Sequence, residues 1–214
     1  MARLRVAVLI SGRGSNLQAL IDACAAPDFA AEIRLVLSNR RDAAGLARAS
    51  QAGIPTQVIP HRDYATRDEF DAALDRALTA ADIELVCLAG FMRLLGADFV
   101  ARWHDRLINI HPSLLPEFRG LDTHARALAA GVRFAGCTVH YVRAAVDDGP
   151  IIVQRKVPVL PGDDEARLAT RVLEAEHRAY PLALRLIAEK RVRIRDDRVE
   201  LRGDDGSWRD ALSA

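Results

Sequence analysis

Lysine is nearly missing from this chain of 214 residues: of 30 basic residues only Lys156 and Lys190 are lysine, and the rest are arginine. With 29 acidic residues the net charge is +1, which leaves no excess positive field for nucleic acid or an anionic membrane. The arginines cluster on no single predicted face and read as compositional bias. Cysteine is scarce too. Cys24, Cys87 and Cys137 are odd in number, far apart and set in apolar surroundings, which excludes a disulfide framework or a zinc site and suggests buried thiols in a reducing compartment. No long apolar run exists near the start: Val6–Ile10 is followed at once by glycine-rich sequence, too short for a signal-peptide core or a membrane span. Internal repeats, low-complexity tracts and Pro/Gly/Ser linkers are absent. The six histidines show no His-Glu-x-x-His spacing, and there is no nucleophile elbow or catalytic-cysteine signature. These absences lead us to expect a soluble, cytoplasmic, metal-independent protein of one domain.

What is present is short apolar runs alternating with amphipathic segments. Val6–Ile10, Ile33–Ser38, Gln57–Ile59, Glu84–Leu88 and Leu107–Ile110 read as strands, while Asn16–Ala26, Ala43–Ala52, Arg67–Ala81 and Ala97–Trp103 have helical spacing. Strands separated by helices predict an α/β fold with a doubly wound, mostly parallel sheet and a Rossmann-like N-terminal half. Further on, the pattern predicts a helix near Asp122–Ala130 and a hairpin-like strand pair, Gly136–Val142 and Ile151–Pro158. A long amphipathic helix from Asp164 to Glu189 follows, then a small terminal hairpin over Val192–Leu201. The domain is thus expected to comprise a nucleotide- or phosphate-binding half to about residue 105, a catalytic half to about 190, and a terminal hairpin and tail over 191–214.

Ser11-Gly12-Arg13-Gly14-Ser15-Asn16 lies between the first strand and the first helix. Glycines there let the backbone turn sharply and approach a ligand, and the helix N-terminus offers N–H groups and partial positive charge to a phosphate. Ser15 or Asn16 is expected to cap the helix. A tight turn with a cap is the plain structural reading. A dinucleotide site fits less well, because Leu17 stands where the third glycine belongs and no acidic residue ends the second strand. A monophosphate pocket formed by Gly14, Ser15 and Asn16 is preferred.

Residues 107–116 read Leu-Ile-Asn-Ile-His-Pro-Ser-Leu-Leu-Pro. Period-two alternation puts Asn109 and His111 on one face of a strand, and Pro112 stops the ladder directly after His111. An amide can donate to a developing oxyanion, and an imidazole can donate or shuttle a proton near neutral pH. Asp147, in the Asp-Asp-Gly-Pro turn between later strands, is the natural carboxylate partner for the histidine. Capped polar groups and ordinary turn chemistry would explain each feature singly, but not all of them together with the glycine loop.

In these stretches the chain resembles the phosphoribosylglycinamide formyltransferases, within the wider formyltransferase fold family. The matching segments are 10–19, 88–95, Asn109–Pro116, 136–149 ending in Val146-Asp147-x-Gly149, and Glu176-His177-x-x-Tyr180-Pro181. The resemblance implies transfer of a formyl group from 10-formyltetrahydrofolate, as co-substrate, to the amine of 5-phosphoribosylglycinamide, by direct attack. It implies Asn109, His111 and Asp147 as the catalytic trio, with Asn109 and protonated His111 stabilising the oxyanion and Asp147 raising the histidine pKa. Gly14, Ser15 and Asn16 would hold the ribose phosphate, with Glu176 near the ribose hydroxyls. Arg67 would meet the folate glutamate tail, and Met92, Arg93, Leu94 and Leu95, with Asn109, would line the folate site. Three positions depart from the family pattern: Asp148 stands where a glycine is usual, Ala144 where an acid is common, and Leu173 where a Gln or Lys is expected.

The runner-up is 10-formyltetrahydrofolate hydrolase, which would carry extra sequence before the glycine loop and no phosphate pocket. A methionyl-tRNA formyltransferase would need a further, basic C-terminal domain, and sugar-nucleotide formyltransferases lack the Ser-Gly-x-Gly-Ser-Asn start. Outside the family, an NADP-binding oxidoreductase or a nucleotide sensor is a weaker alternative. The expected partners are small-molecule substrates, with no nucleic acid and no membrane, and the chain a monomer or weak homodimer.

Overall fold

The computed structural model describes residues 2–202. Seven strands form one mostly parallel sheet in an α/β fold, and a separate two-stranded sheet follows. The chain divides after Asn109 into two compact units.

The first unit contains β1 (Leu4–Ile10), β2 (Ala31–Ser38), β3 (Thr56–Val58), β4 (Leu85–Leu88) and most of β5 (Leu107–His111). Their order is β3-β2-β1-β4-β5 and every pairing is parallel. A parallel strand covered on both faces cannot alternate polar and apolar side chains. Accordingly, Val6–Ile10 and Leu85–Cys87 are all within 2% of complete burial. The connecting helices are α1 (Ser15–Cys24), α2 (Gly45–Gln51), α3 (Arg67–Ala80) and α4 (Ala97–Arg102). The expected strands and helices all occur, with ends that coincide or shift by at most two residues. A short 3-10 turn at His61–Asp63, which no periodicity marks, is added. The strand order reverses between β1 and β4, the point where open α/β sheets gather ligands at the carboxyl ends of strands.

The second unit pairs β6 (Phe134–Tyr141) with β7 (Ile151–Pro158) antiparallel, as the hairpin-like pattern predicts. It also holds α5 (Thr123–Ala129), α6 (Glu165–Ala188) and the hairpin β8 (Val192–Arg195) and β9 (Arg198–Leu201). The expected tail after residue 202 lies outside the described residues. Helix α6 starts at an Asp164 cap whose side chain accepts from Arg167 N–H. It continues through Pro181, which normally breaks a helix by deleting one N–H. Burial of Leu168, Val172, Ala175, Ala179, Tyr180, Ala183 and Leu184 along one face offsets that loss.

Candidate active site

His111 is the last residue of β5, and Asn109 lies two residues earlier on the same strand face. His111 is 6% exposed. Its Nδ1 lies 3.3 Å from Asp147 Oδ2, and its Nε2 lies 3.1 Å from the Phe118 carbonyl oxygen. Both oxygens are acceptors, so a ring carrying hydrogens on both nitrogens satisfies the arrangement. The Gly120 N–H also donates to Asp147 Oδ2, at 3.0 Å. The structure therefore brings together His111 and Asp147, 36 positions apart in sequence, as the motif reading expects.

Sequence reasoning missed His140. It sits in β6 and is 1% exposed, with Nε2 3.7 Å from Asp147 Oδ1. Its Nδ1 faces the Tyr141 carbonyl at 2.9 Å, an oxygen that only accepts, so Nδ1 carries the hydrogen. Burial pushes the His140 pKa below its usual value, despite opposing pulls from the Tyr141 carbonyl and Asp147. A histidine inside the apolar run Gly136–Val142, just before the Asp147 turn, was the available signal.

The chain beyond His111 is fixed by a polar clamp. Thr138 Oγ1 donates to the Ser113 carbonyl (2.7 Å) and accepts from the Leu115 N–H (3.1 Å). Gln154 Nε2 donates to the Leu115 carbonyl (2.7 Å), and Ser113 Oγ donates to the Glu117 carbonyl (2.6 Å). Asp148, the departure beside Asp147, forms an ion pair with Arg119, tying the Asp147 turn to the stretch that carries Phe118 and Gly120. Nothing in the structure explains Ala144 or Leu173. Glu176 lies in α6 and is 6% exposed, so it is no solvated helix charge.

In the first unit the glycine loop joins β1 to α1. The expected capping by Ser15 or Asn16 does not occur. Gly14 is the N-cap, in the left-handed region at φ 71°, with no side-chain cap bond. A Cβ at Gly14 would also lie 2.6 Å from Gly45 Cα, so the α1 and α2 entry points meet through glycines. The first turn of α1 holds no acidic side chain, which keeps its partial positive charge for an anion. Ser15 is half-buried and Asn16 buried at this turn.

Met92, Arg93, Leu94 and Leu95 follow β4 in irregular backbone, and Met92 and Leu94 are exposed. Arg67, exposed at the start of α3, runs beside this segment: a Cβ at Gly96 would lie 3.8 Å from Arg67 Cδ. An exposed apolar edge with backbone groups, flanked by Arg67 and Arg93, suits a flat heteroaromatic ring bearing an anionic tail. Among the described residues, no group of three or more His, Cys, Asp or Glu side chains is placed to hold a metal ion. No helix there is long and apolar enough to cross a membrane.

Comparison with known proteins fits this geometry. The formyl transferase family model matches residues 4–184. The chain is 44% identical to the phosphoribosylglycinamide formyltransferase of Escherichia coli, covering 94% of both chains. It is 53% identical over 192 residues to the trifunctional purine biosynthetic protein adenosine-3 of Gallus gallus. That match takes in 90% of this chain but spans only 19% of the relative's length. The crystal structure of glycinamide ribonucleotide transformylase 1 from Symbiobacterium toebii superposes with a TM-score of 0.91 at 48% identity, covering 93% of this chain and 94% of that one. A formyltetrahydrofolate deformylase from Pseudomonas syringae, the runner-up's class, stands further off at 26% identity, with 66% of that chain covered and a TM-score of 0.86. The chain belongs to the phosphoribosylglycinamide formyltransferase family of the formyl transferases.

Proposed function

We propose that the chain transfers the formyl group of 10-formyltetrahydrofolate to the amine of 5-phosphoribosylglycinamide, a step of purine biosynthesis. The observation that carries this reading is the His111–Asp147 pair at the end of β5, with Asn109 on the same strand face. Formyl transfer to an amine needs donors for the carbonyl oxygen as it gains charge and a route for the amine proton. Asn109 Nδ2 and His111 Nε2 supply the donors. For Nε2 to do so, its hydrogen must leave the Phe118 carbonyl for the substrate oxygen. Asp147 orients the ring through Nδ1 and takes part in moving the proton. The Gly14–Asn16 turn binds the ribose phosphate and Glu176 the ribose hydroxyls. Arg67 meets the glutamate tail, while Met92–Leu95, with Asn109, lines the folate site. Formyl folate supplies the one-carbon unit, and no metal is called on.

The family match runs unbroken over residues 4–184, which supports treating both units as a single functional domain. Three buried thiols in no disulfide are in keeping with a cytoplasmic location, and the partners are small molecules with the chain a monomer or weak homodimer.

The test is an assay with 10-formyltetrahydrofolate, with and without the ribonucleotide, on the natural protein and His111→Ala. Folate product should form only when the ribonucleotide is present, and turnover should fall by about 10²–10⁴-fold in the variant. Equal product without the ribonucleotide would establish the hydrolase instead.

A further inference from the structure

The Met92–Leu95 segment lies in no helix or strand, and its Met92 and Leu94 side chains are 64% and 63% exposed. Such a stretch has few contacts of its own to hold it still. Two buried side chains, both distant in sequence, hold its ends. At the start, Met92 N–H donates to Ser11 Oγ at 2.7 Å, and Ser11 Oγ–H donates to Asn39 Oδ1 at 2.6 Å. Ser11 and Asn39 are 5% and 3% exposed. Just past the end, Gly96 N–H donates to Asp71 Oδ2 at 2.6 Å. Asp71 is also 5% exposed, and its other oxygen has no hydrogen-bond partner among the described residues. Burying a carboxylate is unfavourable, and here desolvation pushes the Asp71 carboxyl above its usual range. Gly96 admits this close approach, since a Cβ there would lie only 3.0 Å from Asp71 Oδ2. Neither anchor is a rung of a helix or a strand ladder; the first holds the start of the segment, and the second holds Gly96, which follows its end and is the N-cap of α4.

We propose that Ser11 and Asp71 are positioning residues that hold the two ends of Met92–Leu95 and so set the backbone the folate meets. The proposal rests on the folate reading given above for this segment. Neither residue touches the reacting atoms. Their loss should therefore act on folate affinity more than on the chemistry or on the ribonucleotide.

The test compares Ser11→Ala and Asp71→Ala, which remove the acceptors, with Ser11→Thr and Asp71→Asn, which keep an acceptor oxygen. Each alanine variant should raise KM for the formyl folate about tenfold, while KM for the ribonucleotide stays within about twofold; the conservative variants should recover most of the loss. An unchanged folate KM in both alanine variants would overturn the proposal. So would a parallel rise for both substrates that Asp71→Asn fails to rescue. Hydrogen exchange on the natural protein serves if the variants do not fold. The Met92 and Gly96 amides should exchange about 100-fold more slowly than those of Arg93 and Leu94, and equal rates would refute the anchoring. Absence of formyl transfer by the natural protein would count against the proposed function instead, and exchange reads the anchors independently of it.

Discussion

Asp147 works from a backbone that few residues tolerate. Its φ is 50°, in the left-handed region, where aspartate is among the better accepted side chains. One of its oxygens serves His111 Nδ1 and Gly120 N–H, and the other faces His140. Asp147→Asn keeps the shape and one acceptor while removing the charge. Turnover should fall by about 10²–10⁴-fold, with the thermal midpoint shifting only a few degrees. Turnover within tenfold of the natural enzyme would show that the carboxylate is not needed. His140 yields a different prediction. Desolvation lowers its pKa in the folded state, so the unfolded chain binds its proton first as pH drops below about 6.5. Its contribution to stability is therefore full above that pH and lost as pH falls toward the folded value. His124, also depressed chiefly by burial, adds in the same direction. Thermal midpoints recorded from pH 7.5 down to 5 should decline, and His140→Gln should show a shallower slope. A slope identical to the natural protein's would place the effect elsewhere.

At the scale of elements, the turn between β6 and β7 has two requirements that meet at Gly149. It must carry Asp147 to His111, and it must pass close to the β6 backbone. A Cβ at Gly149 would lie 1.7 Å from the Tyr141 carbonyl oxygen, so Gly149→Ala cannot be accommodated without moving the turn. We expect this variant to lose at least about tenfold in turnover, since catalytic groups act over sub-ångström tolerances. It should also melt lower than the natural protein, by an amount set by about 1–3 kcal/mol of overpacking. Full activity would mean that the turn is more compliant than its packing indicates. The strands and helices themselves were legible from periodicity, because buried parallel strands and one-sided helices leave distinct patterns. The terminal residues were not. Gly14 took the cap role assigned to Ser15 or Asn16, because a left-handed entry to α1 favours a residue without a Cβ.

For the whole molecule, the three cysteines are buried and in no disulfide. Burial pushes the thiol pKa of Cys24 to about 11 and of Cys137 to about 12. Un-ionised, inaccessible thiols are poor nucleophiles. Ellman's reagent should thus read near zero thiols in the native protein and three after unfolding. A fast-reacting thiol in the native state would contradict the burial. The family match over 4–184 also bears on the whole chain, and it agrees with motifs scattered from residue 10 to residue 181.

Local chemistry was written plainly in the sequence. The glycine loop after β1, the Asn-x-His-Pro strand end and the Asp-Asp-Gly-Pro turn each name their residues, because a turn, a chain stop or a strand face depends on neighbours a few positions away. The α/β pattern followed from the same short-range periodicity. Only the tertiary structure decided which distant groups meet. His140 behind Asp147, the Phe118 carbonyl on His111 Nε2, Arg119 on Asp148, and Ser11 and Asp71 at the ends of Met92–Leu95 all arise from strand order and loop packing. These contacts join residues from seven to 81 positions apart, and one such side chain looks like any other polar residue in its own stretch. Their partners are chosen by the low-dielectric interior, where each buried polar group needs a specific counterpart, and no local pattern in the chain encodes that choice.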